Sequence, residues 1–453
     1  MNNKNISTLI NSPKLIMKKL RIKKTYDNIT SFLLSSKNPK IVNLILIMLI
    51  TFFYVLRGYR YILHPQLFAE DGTIWIGNAY DKGLHTIFQP YNGLSHLFER
   101  LFGLFSIHII PLQYEPLLYT ISALLIFLLL CRYILSDRTR LFSSNYQKIF
   151  FGLSMCLLGN AEEFYFSFSN SVFLLGLVGL FILVINKSEH KFINILEKML
   201  FFILCFTITF SWLYILIIAF EFIWKRKRKY YYLVCALAGS ITEFLIYIFH
   251  STQRPNIPIR YILSKATIFE FYNQMIIPSL RFGRQDISPL TGNTTNLIVV
   301  TITLLIVTTI IAFIFVKSNY VTRCLLFFCL MMTIVSLRSP IDGQTIPSLI
   351  VITMATYHWG NRYFIYGIIG LFVVWAKFSQ RLIRERWLAM FLVIFFGFAV
   401  LSSITLGSFF IQKYFVNLST QYSNGITEVK RNDKKLVVIP INPAGWSITL
   451  DLK

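Results

Sequence analysis

Residues 41–57 read IVNLILIMLITFFYVLR, and this apolar stretch decides the fold class. It holds no acid, ends on a single arginine and comes close to the ~20 residues that a helix needs to cross a bilayer. Similar stretches recur along the 453-residue chain, and helices are the usual structures that satisfy their own backbone within lipid. The sequence therefore predicts an all-α polytopic membrane protein. The further stretches lie at 116–135, 147–160, 171–186, 230–249, 296–316, 321–337, 363–377 and 388–411.

The composition excludes an ordinary soluble domain. Only 14% of the residues are charged and 55% are hydrophobic, whereas soluble domains carry roughly 25% charged residues. The net charge of +24 does not predict nucleic-acid binding, because membrane proteins collect Lys and Arg at their cytoplasmic ends and beside anionic lipid. The six cysteines lie in or next to apolar stretches without metal-ligand spacing, which indicates buried small hydrophobic side chains.

The distribution of basic residues predicts the orientation. Cytoplasmic segments carry an excess of Lys and Arg. Three segments meet this description: residues 1–40, the run Lys225–Lys229, and the cluster between Lys377 and Arg386. The N-terminus is therefore predicted to be cytoplasmic.

Keeping all three basic segments on one side fixes the number of crossings. The stretch 199–223 must cross twice or form a hairpin, with a break near Ser211 and Trp212. The short stretch 345–358, which contains Pro347, must be re-entrant or interfacial. The prediction is then about eleven crossings, within a range of 9–12.

The same orientation divides the chain into segments. Residues 1–40 form a basic cytoplasmic segment and 41–411 the transmembrane domain. Within that domain, residues 58–115 (the first loop) and 250–295 (the second loop) lie outside, and the first loop should hold amphipathic helices. Residues 412–453 (the tail) are extracytoplasmic. Alternating apolar residues at 436–441, followed by Asn-Pro-Ala-Gly, predict a short strand and a turn in the tail.

Two adjacent acids, Glu70 and Asp71, stand out in the first loop. The chain has 20 acids against 44 bases, and acids beside lipid are costly. They are consistent with the first turn of an interfacial helix over 73–80, where the helix dipole favours negative charge. They are equally suited to a general base that deprotonates a hydroxyl at the membrane surface. Adjacent helical positions point about 100° apart, so one acid would face the reacting centre.

Further polar residues lie in the segments predicted to be outside. Pro90 and Gly93 predict a turn that presents polar side chains to a ring-shaped ligand or packs on the membrane surface. Two more acids follow the stretch 147–160, as a helix cap or as part of the site. The candidate substrate-binding residues are Tyr91, Asn92, His96, Arg100, Glu162 and Glu163.

Arginines are disfavoured on the outer face, because Lys and Arg collect on the cytoplasmic side of the membrane. An outer arginine therefore needs a binding partner. Guanidinium groups bind phosphate oxygens in a bidentate manner, which makes a lipid phosphate a suitable one. General snorkelling toward headgroups is the alternative. The candidate phosphate-binding residues are Arg281, Arg284, Arg338 and Arg362.

Several of these motifs together resemble a known group. Phe68-Ala69-Glu70-Asp71-Gly72, the following Pro90-Tyr91-Asn92-Gly93 with Arg100, Asn361-Arg362-Tyr363-Phe364, and Pro440-Ile441-Asn442-Pro443-Ala444-Gly445-Trp446 occur in that order. The pattern resembles polytopic bacterial glycosyltransferases of the GT-C type, and more closely the serotype-converting O-antigen glucosyltransferases. The resemblance extends along the chain, and its first-loop motif is the most specific part.

The resemblance implies a function. A sugar, glucosyl by analogy, would pass from a polyprenyl-phosphate donor to O-antigen lipopolysaccharide or another surface glycan on the outer face of the membrane, with inversion at the anomeric carbon. Glu70 or Asp71 would be the base, and family habit favours Asp71. The resemblance also implies a separate donor synthase and a flippase as partners. No cofactor is predicted, although a divalent metal occurs in some members.

Two other functions remain open at the level of sequence. A flippase or transporter of lipid-linked saccharides would carry charges within its spans, and Glu221 and Glu243 are candidates for such charges. An O-antigen polymerase would use large basic outer loops, and the second loop is basic. The histidines of the first loop lack regular ligand spacing, so no metal site is predicted.

Overall fold

The computed structural model describes residues 39–158, 166–225, 229–250, 271–280, 294–338, 364–382, 397, 400–401, 418–431, 436–443 and 445–451. This part of the chain is predominantly helical, with a small sheet in the tail. The α-helices are α1 Pro39–Arg57, α2 Tyr59–Leu63, α3 Gly77–Lys82, α4 Leu97–Ile109, α5 Glu115–Leu135, α6 Asn145–Cys156, α7 Phe168–Val184, α8 Lys191–Cys205, α9 Phe210–Lys225, α10 Tyr230–Phe249, α11 Ile277–Leu280, α12 Thr294–Lys317, α13 Tyr320–Arg338, α14 Ile365–Leu382 and α15 Ser419–Arg431.

Shorter elements complete the described structure. Asp71–Ile76 and Tyr272–Ile276 are π-helices, and the first of them is called the π-helix below. Gly83–Phe88 and Leu112–Tyr114 are 3₁₀-helices. In the tail, β1 Leu436–Ile441 and β2 Trp446–Asp451 pair antiparallel.

The chain is a membrane protein by the length and composition of its helices. Four described helical segments are long and apolar enough to cross a bilayer: Lys40–Arg57, Leu112–Leu135, Tyr230–Phe249 and Ile298–Lys317. Shorter apolar helices occur at Phe168–Val184, Phe210–Ile223 and Tyr320–Val335. The stretch 345–358, predicted to be re-entrant or interfacial, and most of the predicted span 388–411 lie outside the described residues.

Polar contacts gather at one end of the helical bundle, called the basic end. Lys148, in the first turn of α6, pairs with Asp137 and also bonds Asn43 near the start of α1. Arg138 pairs with Glu197 of α8 at 2.7 Å. Neighbouring contacts join Asn319 to Arg140 and Lys229 to Leu183.

The opposite end, called the loop end, carries the first loop. Here Arg57, at the end of α1, donates to the carbonyls of Cys156 and Leu158 after α6. The start of α7 meets the π-helix, and the chain after α8 meets the start of α4. Successive long helices therefore run in alternating directions between the two ends.

The expected interruption of the stretch 199–223 is present. The chain leaves α8 after Cys205 and enters α9 at Phe210, so the break covers residues 206–209, slightly before Ser211. Ile208 has φ +54°, a left-handed conformation that is strained for a β-branched residue. Its N–H donates to Ser95 O at 3.0 Å, so the break is anchored to the first loop.

α7 lies at the centre of the bundle. Nearly all of its side chains are buried, which explains why it is apolar on every face. Gly179 approaches the Tyr214 side chain so closely that an added Cβ would lie 2.1 Å from the hydroxyl. That hydroxyl donates to Gly176 O at 2.9 Å. The six cysteines are buried and free, as the sequence predicted.

The tail forms a hairpin that docks on the first loop. The strand predicted at 436–441 is present, and a second strand follows the predicted turn. Asn442 bridges to Phe68 in parallel, and its N–H donates to Leu67 O at 3.1 Å. The alternating burial of β1 turns Val437, Ile439 and Ile441 inward. The tail and the first loop therefore lie at the same end of the bundle.

Candidate active site

Glu70 and Asp71 lie at the entrance of the π-helix. Ala69, just before them, has φ +44° and donates its N–H to Asn442 O of the tail. Asp71 N–H then donates to Phe68 O at 2.9 Å, which closes a tight turn. Strained residues such as Ala69 persist where the surrounding structure holds them, and they cluster at functional sites.

The two acids have different environments. Glu70 is half-buried and makes no side-chain cap hydrogen bond to the π-helix. Asp71 is 1% exposed. Its Oδ1 accepts from the Ser169 N–H at 2.9 Å and from the Ser169 hydroxyl, at the start of α7. Its Oδ2 is buried and has no hydrogen-bond partner among the described residues.

The environment of Asp71 brings the pKa of its carboxyl group close to neutrality. Burial raises the pKa of Asp71 to about 7, with a smaller increase from the charge of Glu70. The two hydrogen bonds from Ser169 oppose this effect. A carboxyl group with a pKa close to the working pH is suited to accept a proton in a reaction.

Trp75, one turn along the π-helix, connects Asp71 with the rest of the first loop. Its Nε1–H donates to Ser169 Oγ at 2.8 Å, so Ser169 joins the indole to the carboxylate. The indole ring lies 5.5 Å from the Tyr91 ring and 5.1 Å from the His96 ring, centroid to centroid. Trp75 is 2% exposed, so these ring contacts fix the indole inside the first loop.

The predicted turn around Gly93 is present. Tyr91 and Leu94 exchange two backbone hydrogen bonds of 3.0 Å, and Asn92 and Gly93 between them have φ +49° and +65°. Two consecutive positive φ values define a type I′ turn, for which Asn-Gly is the favoured pair. Asn92 is half-buried in this turn.

The segment after the turn is fixed to the helix break. Ser95 Oγ donates to Phe206 O at 2.6 Å, and Ser95 N–H donates to Glu243 Oε1 of α10 at 3.1 Å. Phe98 N–H donates to Thr207 Oγ1 at 3.0 Å. The first loop is thus held by the bundle on one side and by the tail on the other.

His96 and Glu99 form a buried pair. His96 Nδ1 lies 2.8 Å from Glu99 Oε1, and the side chains are 11% and 2% exposed. His96 Nε2 and Glu99 Oε2 are buried without a hydrogen-bond partner among the described residues. The sequence singled out His96 but missed Glu99, although a separation of three residues at a helix start is a recognisable pairing distance.

Arg100 is buried within the first loop, and its role in substrate binding stays a prediction. It is 2% exposed, and its guanidinium donates to Thr86 Oγ1 at 2.8 Å and lies 5.0 Å from the Trp75 ring. Burial lowers its pKa to about 10, so it is still charged at neutral pH. Its long side chain reaches inward because α4 begins at Leu97 and turns this position toward the π-helix.

The remaining predicted residues cannot be located in the site. Arg338 ends α13, but its side chain is outside the description. The others lie outside the described residues: Glu162, Glu163, Arg281, Arg284 and Arg362.

Several residues of the site were missed by sequence reasoning. Ser169 and Trp75 carry no motif, since a serine and a tryptophan are ordinary residues of apolar segments. A second buried acid, Glu115, begins α5 and is completely buried. It lies near Tyr119 and near Tyr422 of the tail, and Tyr119 is also close enough to interact electrostatically with Asp71.

No group of three or more His, Cys, Asp or Glu side chains that could hold a metal occurs among the described residues. Comparisons of the chain with models of protein families, with curated proteins and with solved structures found no match.

Proposed function

We propose that this chain is an inverting glycosyltransferase of the GT-C type. In this proposal it transfers a sugar, a glucosyl group by analogy, from a polyprenyl-phosphate donor to O-antigen or another surface glycan. The observation that carries the proposal is the Asp71 carboxylate. It is buried beside an aromatic cluster and oriented by Ser169, and one of its oxygens has no hydrogen-bond partner among the described residues.

The chemistry requires one base. The acceptor hydroxyl attacks the anomeric carbon, its proton passes to Asp71 Oδ2, and the donor phosphate leaves with the electron pair of the broken bond. Direct displacement inverts the anomeric configuration and needs no carboxylate nucleophile, unlike retaining glycoside hydrolysis. Of the two adjacent acids, Asp71 is the better candidate because its pKa of about 7 suits proton transfer near neutral pH.

A lipid-linked donor explains why the site is built on membrane helices. In the proposed topology the chain crosses a bacterial inner membrane about eleven times, with the N-terminus in the cytoplasm and the site on the outer face. The alternating directions of the described helices and the break at 206–209 support this count. The basic end would face the cytoplasm, as the positive-inside rule requires. Donor synthesis and flipping would be supplied by separate proteins.

The transporter alternative is less well supported. It depends on Glu221 and Glu243 as charges along a path. Glu221 instead pairs with Lys229 at 2.9 Å, and Glu243 accepts a hydrogen bond from the Ser95 N–H. The two acids therefore have partners within the protein, and they lie at opposite ends of the bundle. The polymerase alternative depends on arginines of the second loop, which lie outside the described residues.

Substitution of single acids tests the proposal. Asp71→Asn should reduce sugar transfer by about 10²-fold or more, the usual contribution of a general base, while the protein still accumulates in the membrane. Glu70→Gln should keep most of the activity. Asp81→Asn, an exposed acid of the same loop, is the matched control.

The assay compares surface-glycan composition with and without the protein, in cells that can and cannot make the polyprenyl-phosphate sugar. Identical glycans in every combination would rule out the transferase. Full activity of Asp71→Asn would instead remove Asp71 as the base and leave the reaction class standing.

A further inference from the structure

Helix α4 of the first loop buries its charged residues and exposes its apolar ones. Its two charged side chains, Glu99 and Arg100, are 1% and 2% exposed. Phe105 and Ile109, which lie one turn apart, are instead 51% and 57% exposed. A helix on the surface of a soluble protein turns its charged residues outward and its apolar residues toward the core. The outward face of α4 is therefore unsuited to water.

The polar content of this outward face is one imidazole ring. His108 is exposed between Phe105 and Ile109, and its Nδ1 donates to Leu104 O within the helix at 2.7 Å. Beyond its two buried charged residues, α4 contains no Asp, Glu, Lys or Arg. Histidine presents an apolar body with a polar tip, so it can lie at the boundary between acyl chains and headgroups. The outward face thus has the composition of a surface that meets lipid.

The depth of α4 follows from its contact with α5. The Phe102 ring lies 5.0 Å from the Tyr119 ring, centroid to centroid. Tyr119 belongs to the candidate span Leu112–Leu135, which has 24 residues. Because about 20 helical residues cross the hydrocarbon core, the hydrocarbon would begin before Tyr119 even if all the surplus residues lay at the loop end. The middle of α4 therefore lies beside this span and at the depth of the acyl chains.

The outward face of α4 adjoins the exposed side of α5 along the chain. The exposed apolar side chains of α5 recur at Leu117, Ile121 and Leu125, on one face of the helix. Tyr114, which is 54% exposed, precedes them and follows Ile109 by a short connection. In a membrane-spanning helix, exposed apolar side chains face the acyl chains. The lipid that covers α5 therefore also reaches the outward face of α4.

We propose that α4 lies within the lipid leaflet at the loop end, with Phe105 and Ile109 among the acyl chains. The opposite face of α4 packs on the π-helix: Gly103 approaches the Trp75 backbone, and the Arg100 guanidinium lies 5.0 Å from the Trp75 ring. The helix is thus the wall between the candidate active site and the lipid. Its position is independent of the proposed reaction, because it follows from exposure and contacts alone.

Spin labels on α4 measure its surroundings directly. Phe105→Cys and Ile109→Cys are labelled separately in the purified full-length protein and reconstituted in lipid bilayers. The six native cysteines are buried, and the unsubstituted protein treated with the same label gives the background. Power saturation reports the collisions of each label with oxygen, which concentrates in the hydrocarbon, and with the water-soluble complex NiEDDA. Leu125→Cys, on the exposed side of α5, is the lipid reference, and Asp81→Cys, exposed in the first loop, is the water reference.

Both α4 labels should show the high oxygen and low NiEDDA accessibility of the Leu125→Cys label. NiEDDA accessibility like that of the Asp81→Cys label, at either position of a folded variant, would place this face in water and overturn the proposal. Low accessibility to both reagents would overturn it as well, because another protein segment or a second copy of the chain would then cover the face. Two positions on one face keep the test decisive if one substitution disturbs folding, which gel filtration detects.

Discussion

Glu70 and Asp71 are neighbours in the chain, yet burial gives them different chemistry. The turn at Ala69 directs Asp71 under the start of α7, where Ser169 supplies two donors, and leaves Glu70 partly exposed. Desolvation raises the pKa of a carboxyl group because it disfavours the charged form. Of the two, Asp71 is thus the acid whose buried carboxylate the fold holds in one position.

The pH dependence of sugar transfer follows from the raised pKa of Asp71. A base must be ionised, so kcat/KM should rise about tenfold per pH unit below pH 7 and level off above it. The Ser169 hydroxyl bond lowers the pKa of Asp71, so Ser169→Ala should move this rise to higher pH. Activity would then fall more at pH 6 than at pH 8.5.

The control for this prediction lies on the same helix. Ser171→Ala removes a buried hydroxyl that donates to Ser167 O at 2.7 Å and does not bond Asp71. Its pH profile should match that of the wild type. An unchanged profile in Ser169→Ala would mean that the rise reports another group.

At the scale of elements, the site depends on close packing of α4 against the π-helix. Gly103 of α4 lies so near the Trp75 backbone that an added Cβ would be 2.7 Å from Trp75 O. Only glycine permits this approach, and backbone atoms cannot move aside as a flexible side chain does. The same approach brings His96 and Arg100 to the indole ring.

Gly103→Ala should therefore disturb the site although it touches no proposed substrate. Overpacking of this kind costs about 1–3 kcal/mol, which exceeds the gain of about 1 kcal/mol in helix propensity. We expect a lower melting temperature and at least a tenfold loss of sugar transfer. Thermal unfolding and the transfer assay on purified protein measure both.

Gly152→Ala in α6 is the matched control. Its added Cβ would meet the Leu46 side chain at 3.1 Å, and the nearest atom is the end of a flexible chain. It should keep both stability and activity. Equal behaviour of the two alanine variants would show that the contact with Trp75 does not position the site.

At the scale of the whole molecule, distant segments meet at the loop end. The first loop is held by the tail through Phe68 and Asn442, and by the Thr73 hydroxyl, which donates to Ser447 O at 2.7 Å. Tyr422 of α15 donates to Leu112 O at 2.8 Å. More than 300 residues separate these partners in sequence. The helices between them must therefore return the chain to the same end.

Cysteine labelling tests this arrangement and the proposed orientation together. Asp81→Cys in the first loop and Thr427→Cys in the tail should both react with a membrane-impermeant maleimide on spheroplasts. Lys187→Cys at the basic end should react only after permeabilisation. All three positions are exposed, and the six native cysteines are buried.

Different patterns of labelling have different meanings. Reaction of Lys187→Cys alone would reverse the proposed orientation while preserving the fold. Labelling of Asp81→Cys and Thr427→Cys from opposite sides would contradict the docking of the tail on the first loop.

Local sequence patterns accounted for much of the architecture. Apolar runs predicted the long helices, the cytoplasmic excess of Lys and Arg required an interruption in 199–223, and Pro90 and Gly93 predicted the turn. Alternation at 436–441 predicted β1. Each of these features depends on neighbours within a few residues, so the chain itself encodes them.

The sequence by itself determined that this is a helical membrane protein with a pair of acids in its first loop. Only the tertiary structure decided which acid is buried, because the burial of Asp71 depends on Ser169, 98 residues away. Tertiary packing likewise buried Arg100 against Thr86 and left His96 Nε2 without a hydrogen-bond partner among the described residues. These properties arise from contacts between distant segments, and the spacing of residues along one chain carries no direct record of such contacts.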